Sequence, residues 1–189
     1  MEILSNPRIG FGPRLGASIL DGILGGFFAC GFGFFLAFLG LGAGGVLGLA
    51  IDEQAELESS LGAMGVGAGI GALMGMLGGV LIGYFIYSII EAFTGASPGK
   101  MMLGYKVANA DGTGGDISLY FKRWAIKHAS SVFSMLTLVT GLIFLNPLGS
   151  LIGFVMFLGC FLAIGDEKQT LHDKIAKTAI YLKRDIVSQ

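Results

Sequence analysis

The sequence predicts an all-α polytopic membrane protein. It has two long glycine-rich transmembrane helices, a shorter helical hairpin, a small cytoplasmic β element and an amphipathic interfacial helix. Composition, the length of the apolar runs and the placement of charge together predict this class. Of 189 residues, 53% are hydrophobic and 13% charged, with a mean hydropathy of +0.77. Soluble domains carry about 25% charged residues, so this chain has too little charge to coat a soluble surface. The net charge of −1 gives no reason to expect nucleic acid as a partner.

The first apolar run extends from Leu15 to Ile51 and is interrupted by Asp21. The second, Leu61 to Ile90, and the third, Ala129 to Gly165, carry no charge. Each exceeds the roughly 20 residues that a helix needs to cross the hydrocarbon core. Phe27-Phe28-Ala29-Cys30 faintly resembles a lipoprotein cleavage site. Asp21 breaks the would-be signal region, however, and the apolar run continues past Cys30, so the first run is read as a span. Cys30 and Cys160 lie inside apolar runs without metal-ligand spacing and read as small apolar residues.

The third run contains Asn146-Pro147, and proline is unfavourable in a helix interior. The run is therefore either one kinked helix or a hairpin. Basic residues decide between them, because they stay on the cytoplasmic side. Arg8 and Arg14 precede the first run. Lys100, Lys106, Lys122, Arg123 and Lys127 lie between the second and third. Lys168, Lys174, Lys177, Lys183 and Arg184 follow the third. The loop between runs one and two holds Asp52, Glu53, Glu56 and Glu58 and no basic residue. Both termini and the middle segment are thus expected inside, which demands an even number of crossings between His128 and Asp166. The expected hairpin has limbs at about 129–145 and 148–165, either fully spanning or re-entrant.

Along the second run, Gly67, Gly71, Gly75, Gly79 and Gly83 recur every four residues and share one helix face. Such a stripe lets another backbone approach closely. Gly22, Gly26, Gly40, Gly44 and Gly48 on the first run offer a partner surface, in this chain or in another copy. An ion pathway lined by exposed backbone is the competing reading.

The polar positions near the ends of the runs form a second group. Asp21 follows Arg14 by about two turns, Glu91 ends the second run, and Asp166, His172 and Asp173 close the third. Arg14 and Arg123 are the expected counter-ions. One reading of this group is a proton or cation relay through Asp21, Glu91 and His172. The other is a structural charge cluster that ties helix ends together. No charge falls at the expected middle of a span, where transporters place their sites, which favours the structural reading.

The central segment carries shorter signals. Thr94-Gly95-Ala96-Ser97-Pro98-Gly99-Lys100 superficially resembles a phosphate loop, but its glycine spacing and Met101 are wrong for one. It reads instead as a helix breaker, and no nucleotide is expected. Leu103 to Ala108 and Thr178 to Lys183 alternate as short strands and are expected to pair. Asp116 to His128 reads as an amphipathic helix. Its Ile117, Leu119, Tyr120 and Trp124, beside Lys122, Arg123 and Lys127, suit a membrane surface. His128 has no assigned role. No catalytic nucleophile–base spacing and no metal cluster is present, so neither an enzyme nor a cofactor is expected.

As an ordered set, these motifs resemble the RDD family of bacterial membrane proteins, named for an arginine and two aspartates. Arg14-Leu15-Gly16-Ala17 with Asp21 is similar to its opening motif. Thr94, Gly95, Pro98, Gly99 and Lys100, then Gly104 to Val107, then Asp111-Gly112, are similar to its central loop. Arg123 and the stretch from Gln169 through Asp173 to Thr178 resemble its closing elements. The stretch 29–83 departs from the pattern with longer, glycine-richer helices.

The resemblance implies one RDD-like membrane domain over 1–189, in a bacterial inner membrane. Its helices are expected at about 14–51, 61–92, 129–145 and 148–165, with a cytoplasmic segment at 94–128 and a tail at 166–189. Some members are implicated in monovalent cation/proton exchange, and others work beside other proteins. The leading expectation is a non-enzymatic structural or assembly subunit. It packs through glycine faces in a homo-oligomer or with other membrane subunits, with the lipid bilayer around it. The alternative is a monovalent cation/proton antiporter with Asp21 as ion carrier.

Overall fold

The structure, a computed structural model, describes residues 7–50 and 57–187, without the side chains of residues 57, 58, 135, 138 and 139. Asp52, Glu53 and Glu56 of the acidic loop therefore lie outside the described residues, and Glu58 falls in the helix that begins at Leu57. The chain falls into two compact units. One joins the residues up to Asp21 with those from Ile89 onward, and the other is Gly22–Ser88.

Two helices run through both units, α1 (Phe11–Ala50) and α2 (Leu57–Thr94). After them come α3 (Pro98–Met102), β1 (Tyr105–Asn109), α4 (Ile117–Lys127), α5 (Ala129–Thr140), α6 (Leu145–Cys160), α7 (Leu171–Ala176) and β2 (Thr178–Leu182). Three helical stretches are long and apolar enough to cross a membrane: Phe11–Ala50, Ser59–Thr94 and Leu145–Ile164. Their large apolar side chains point outward, with Phe27 77% and Leu81 70% exposed. Only lipid or another apolar surface makes that arrangement stable. The protein is an integral membrane protein.

Within the Gly22–Ser88 unit the glycine ladder faces α1 of the same chain. A Cβ at Gly67 would lie 2.3 Å from the Gly44 carbonyl oxygen, and one at Gly71 would lie 2.1 Å from that of Gly40. At Gly75 the nearest atom would be the Leu36 carbonyl oxygen, at 2.3 Å. Gly79 meets Gly33, and Gly83 meets Ala29 and Phe32. The partner glycines are Gly40, Gly44 and Gly48, whereas Gly22 and Gly26 have open space around an added Cβ. Two backbones touch here because neither carries a side chain at the crossing.

In the other unit the third run folds back on itself, but not where the sequence places the turn. The limbs expected at 129–145 and 148–165 are observed as Ala129–Thr140 and Leu145–Cys160, the latter extended by a 3-10 turn, Phe161–Ile164. Gly141 adopts φ 71° and closes α5 in the left-handed conformation that glycine accepts readily. Pro147 sits in the first turn of α6, where its missing N–H would have no helical acceptor. The proline therefore starts a helix instead of making the turn. With 12 residues, α5 is about 18 Å long, too short to cross the core. It packs back antiparallel on α6, where Gly149 admits Phe133 and the Ser130 carbonyl.

The predicted strand pair is present and antiparallel, with Tyr105 opposite Leu182 and Asn109 opposite Thr178. Helix α4 starts where Asp116 accepts a hydrogen bond from the Leu119 N–H at 2.8 Å, satisfying one orphan donor. Its amphipathic face differs from the expectation. Tyr120 and Trp124 are buried, and Tyr120 packs with Val107 and Ile180 against the two-stranded sheet. Ile117 and Phe121 are the exposed apolar residues of that helix.

Candidate functional site

The charged residues predicted at the run ends converge in the unit that holds both chain ends. The clamp begins with closing helix α7. Thr170 caps it by accepting from the Asp173 N–H, and the Asp173 side chain accepts from the Thr170 N–H, a reciprocal capping box. This fixes the Asp173 carboxylate, which is 0% exposed. Arg14 from α1 donates to its Oδ2, and Arg123 Nε from α4 donates to its Oδ1 at 2.7 Å. Arg123 Nη1 also donates to Glu91 of α2. Glu91 in turn accepts from Lys100 of α3 and from Lys127 of α4, the latter at 2.8 Å.

His172 Nε2 lies 3.2 Å from Arg123 and 3.0 Å from the Thr170 hydroxyl. One hydrogen-bonded network thus joins four helices and the closing motif.

The central loop supplies the rest. Thr94 ends α2 by donating to the Ile90 carbonyl at 2.7 Å, and Gly95 turns the chain with φ 76°. Pro98 occupies the first turn of α3. Asp21 accepts from the Ser97 hydroxyl and, at 2.8 Å, from the Gly99 N–H. A side chain at Gly99 would meet the Ala17 carbonyl and the Asp21 carboxylate at 2.8 Å, so only glycine lets the loop approach α1 this closely. Gly104, at φ 70°, presents its carbonyl to the Lys183 N–H.

Of the residues predicted to cluster, Arg14, Glu91, Arg123, His172 and Asp173 meet directly. Asp21 is engaged by the loop instead. Asp166 is exposed and lines a separate open cleft with Arg8, Glu167 and Tyr181. Sequence reasoning did not assign Lys127 to the network or connect Lys100 with Glu91. Lys127 follows Arg123 by four residues on one helix face, and that signal was legible. It also missed Arg8, which donates to the Ala110 and Glu167 carbonyls at 2.6 and 3.0 Å and ties the start of the chain to the loop and tail.

The electrostatics follow from burial set against pairing. Burial alone would raise the Asp173 carboxyl, but Arg123 and Arg14 outweigh it and hold the group well below the usual carboxylate range. Burial works against the Arg123 charge too, yet Asp173 and Glu91 raise it above its ordinary value. Burial pushes Lys100 down to about 8 against the pull of Glu91. Burial and then the Arg123 charge push His172 down to about 3. Burial and Lys127 push His128 down to about 4.

The histidines set a pH dependence. Unfolded, each binds a proton below its ordinary value of 6.5, while the folded rings refuse it. Stability is therefore expected to fall as pH drops from 6.5 toward 3, by at most about 1.4 kcal/mol per pH unit per histidine. Asp173 adds its own loss only below its ordinary value of 3.8. Trp124 is the only tryptophan, so its fluorescence during thermal unfolding at graded pH reads this unit. The slope should flatten in His172→Gln.

Compared with known proteins, the chain matches the model of one family, described as the RDD family, over residues 8–177. No curated protein and no solved structure matches it.

Proposed function

The chain belongs to the RDD family, and from that premise we propose that it is a non-enzymatic, multi-pass membrane subunit. It assembles with copies of itself or with other membrane proteins in a bacterial inner membrane, both termini cytoplasmic. The observation that carries this reading is the length of the apolar helices. α1 has 40 residues and α2 has 38, so each is nearly 60 Å long at about 1.5 Å per residue. The hydrocarbon core is about 30 Å thick, and transmembrane helices tilt by at most about 40°. At that tilt the core takes about 40 Å of each helix, so about 20 Å extends beyond it, and the exposed apolar side chains there need another apolar surface.

The glycine ladder is spent inside the chain, so assembly uses other faces. Gly65 and Gly69 on α2 have nothing within 4 Å of an added Cβ, and they leave room for a second backbone. The charge network supports a fixed role. Asp173, Glu91 and Arg123 hold one another in buried pairs that tie helix ends together. With the N-terminal segment, the loop, the tail and both ends of the α5–α6 hairpin meeting at this network, the basic residues share one side.

The second reading, a monovalent cation/proton antiporter, is favoured by Asp21, a carboxylate within a candidate span that accepts a backbone N–H. Reconstitution in liposomes with a pH-sensitive dye separates the two. The subunit reading expects no dye response to sodium, potassium or lithium gradients. Exchange that vanishes in Asp21→Asn would overturn it.

A further inference from the structure

We propose that the cationic side of the charge network is the headgroup site of an anionic phospholipid. A cavity of about 320 Å³ opens between the first turns of α1, the end of α6 and the network. Arg14, Lys100, Arg123 and Lys127 are among its lining residues. Glu91 and Asp173, which are not lining residues, pair with these four cations. His172 also lines the cavity. The side chains of Arg14, Lys100 and Arg123 are 9%, 8% and 3% exposed. Cations gathered on a cavity whose lining holds no carboxylate favour an anion there.

The apolar part of the lining identifies the kind of anion. It is built from Phe11, Leu15, Phe157 and Phe161, with Phe11 and Phe161 stacked at 5.6 Å. These side chains belong to candidate membrane spans, and Leu15, Phe157 and Phe161 are about half exposed. The cavity thus combines fixed cations with exposed apolar side chains of the candidate spans. A phosphate carrying acyl chains satisfies both, whereas free phosphate satisfies only the cations. Basic pockets between helices at the cytoplasmic boundary take anionic headgroups by this chemistry.

Lys127 makes the test clean. Its side chain is 37% exposed, and Glu91 keeps Lys100 and Arg123 when it is neutralised. The full chain in mild detergent is titrated with phosphatidylglycerol, with phosphatidylcholine of the same acyl chains, and with inorganic phosphate. Native mass spectrometry reads the adducts. Phosphatidylglycerol should bind in preference to phosphatidylcholine. Lys127→Gln should weaken it about fivefold, the effect of one basic residue on an anionic lipid, and Lys122→Gln on the exposed side of α4 should not. Equal retention of the two lipids, or binding unchanged in Lys127→Gln, would overturn the proposal. So would full displacement of the lipid by inorganic phosphate, which would assign the cations to a free anion.

Discussion

Asp173→Asn is expected to cost the unit that holds both chain ends about 3–5 kcal/mol, the usual penalty for removing one member of a buried ion pair. The carboxylate is wholly buried and receives Arg14 and Arg123, and its neighbour Thr178 lies within 3.3 Å of Oδ1. An amide keeps the volume but removes the negative charge, leaving two guanidiniums buried against each other. Its N–H₂ also presents donors where the arginines need acceptors. The loss should appear as a lowered midpoint in Trp124 fluorescence and as faster proteolysis of the paired segments 105–109 and 178–182. Arg14→Lys should be milder than Arg14→Ala, because a charge remains but the bond to the Ile9 carbonyl and the forked geometry are lost.

The second large effect is expected at the ladder. Gly71→Ala places a methyl group against the Gly40 carbonyl, a backbone atom that cannot rotate away. The helices must part, at a cost of about 1–3 kcal/mol or more for forced overpacking. Gly78→Ala, on the same helix with open space around an added Cβ, should be neutral or gain up to about 1 kcal/mol from helix propensity. Unfolding in sodium dodecyl sulfate, followed by circular dichroism, should separate the two variants. If they unfold alike, the ladder does not hold α1 to α2.

These two positions show what was readable in the chain. The four-residue spacing from Gly67 to Gly83 was visible, and with it a face for close packing. Whether that face met α1 or another copy was not, because spacing defines a surface and not its partner. The charges at Arg14, Glu91, Arg123 and Asp173 stood out because an ionised group beside an apolar run needs compensation. Their pairing was less legible. Asp173 takes both arginines only because the Thr170 cap fixes its carboxylate, and Asp21 is met by a backbone N–H that no side-chain pattern announces. Tyr120 and Trp124 were read as membrane-facing from amphipathic spacing alone. The sheet formed by 105–109 and 178–182 supplies the competing apolar surface that buries Tyr120, and Trp124 stacks beside Phe121 and His128. The hairpin turn moved because proline is disfavoured in a helix interior but welcome in its first turn, and Gly141 lay six residues upstream of Pro147 to end α5.

Assembly is the central claim, and its most direct measurement is made in the native membrane. Phe38 is 73% exposed on α1. With Cys30 and Cys160 changed to serine, Phe38→Cys should cross-link to a second copy or to another membrane protein. The particle in mild detergent should then exceed the 19.7 kDa of one chain. A monodisperse single-chain particle, with no cross-link at Phe38→Cys, would contradict the account.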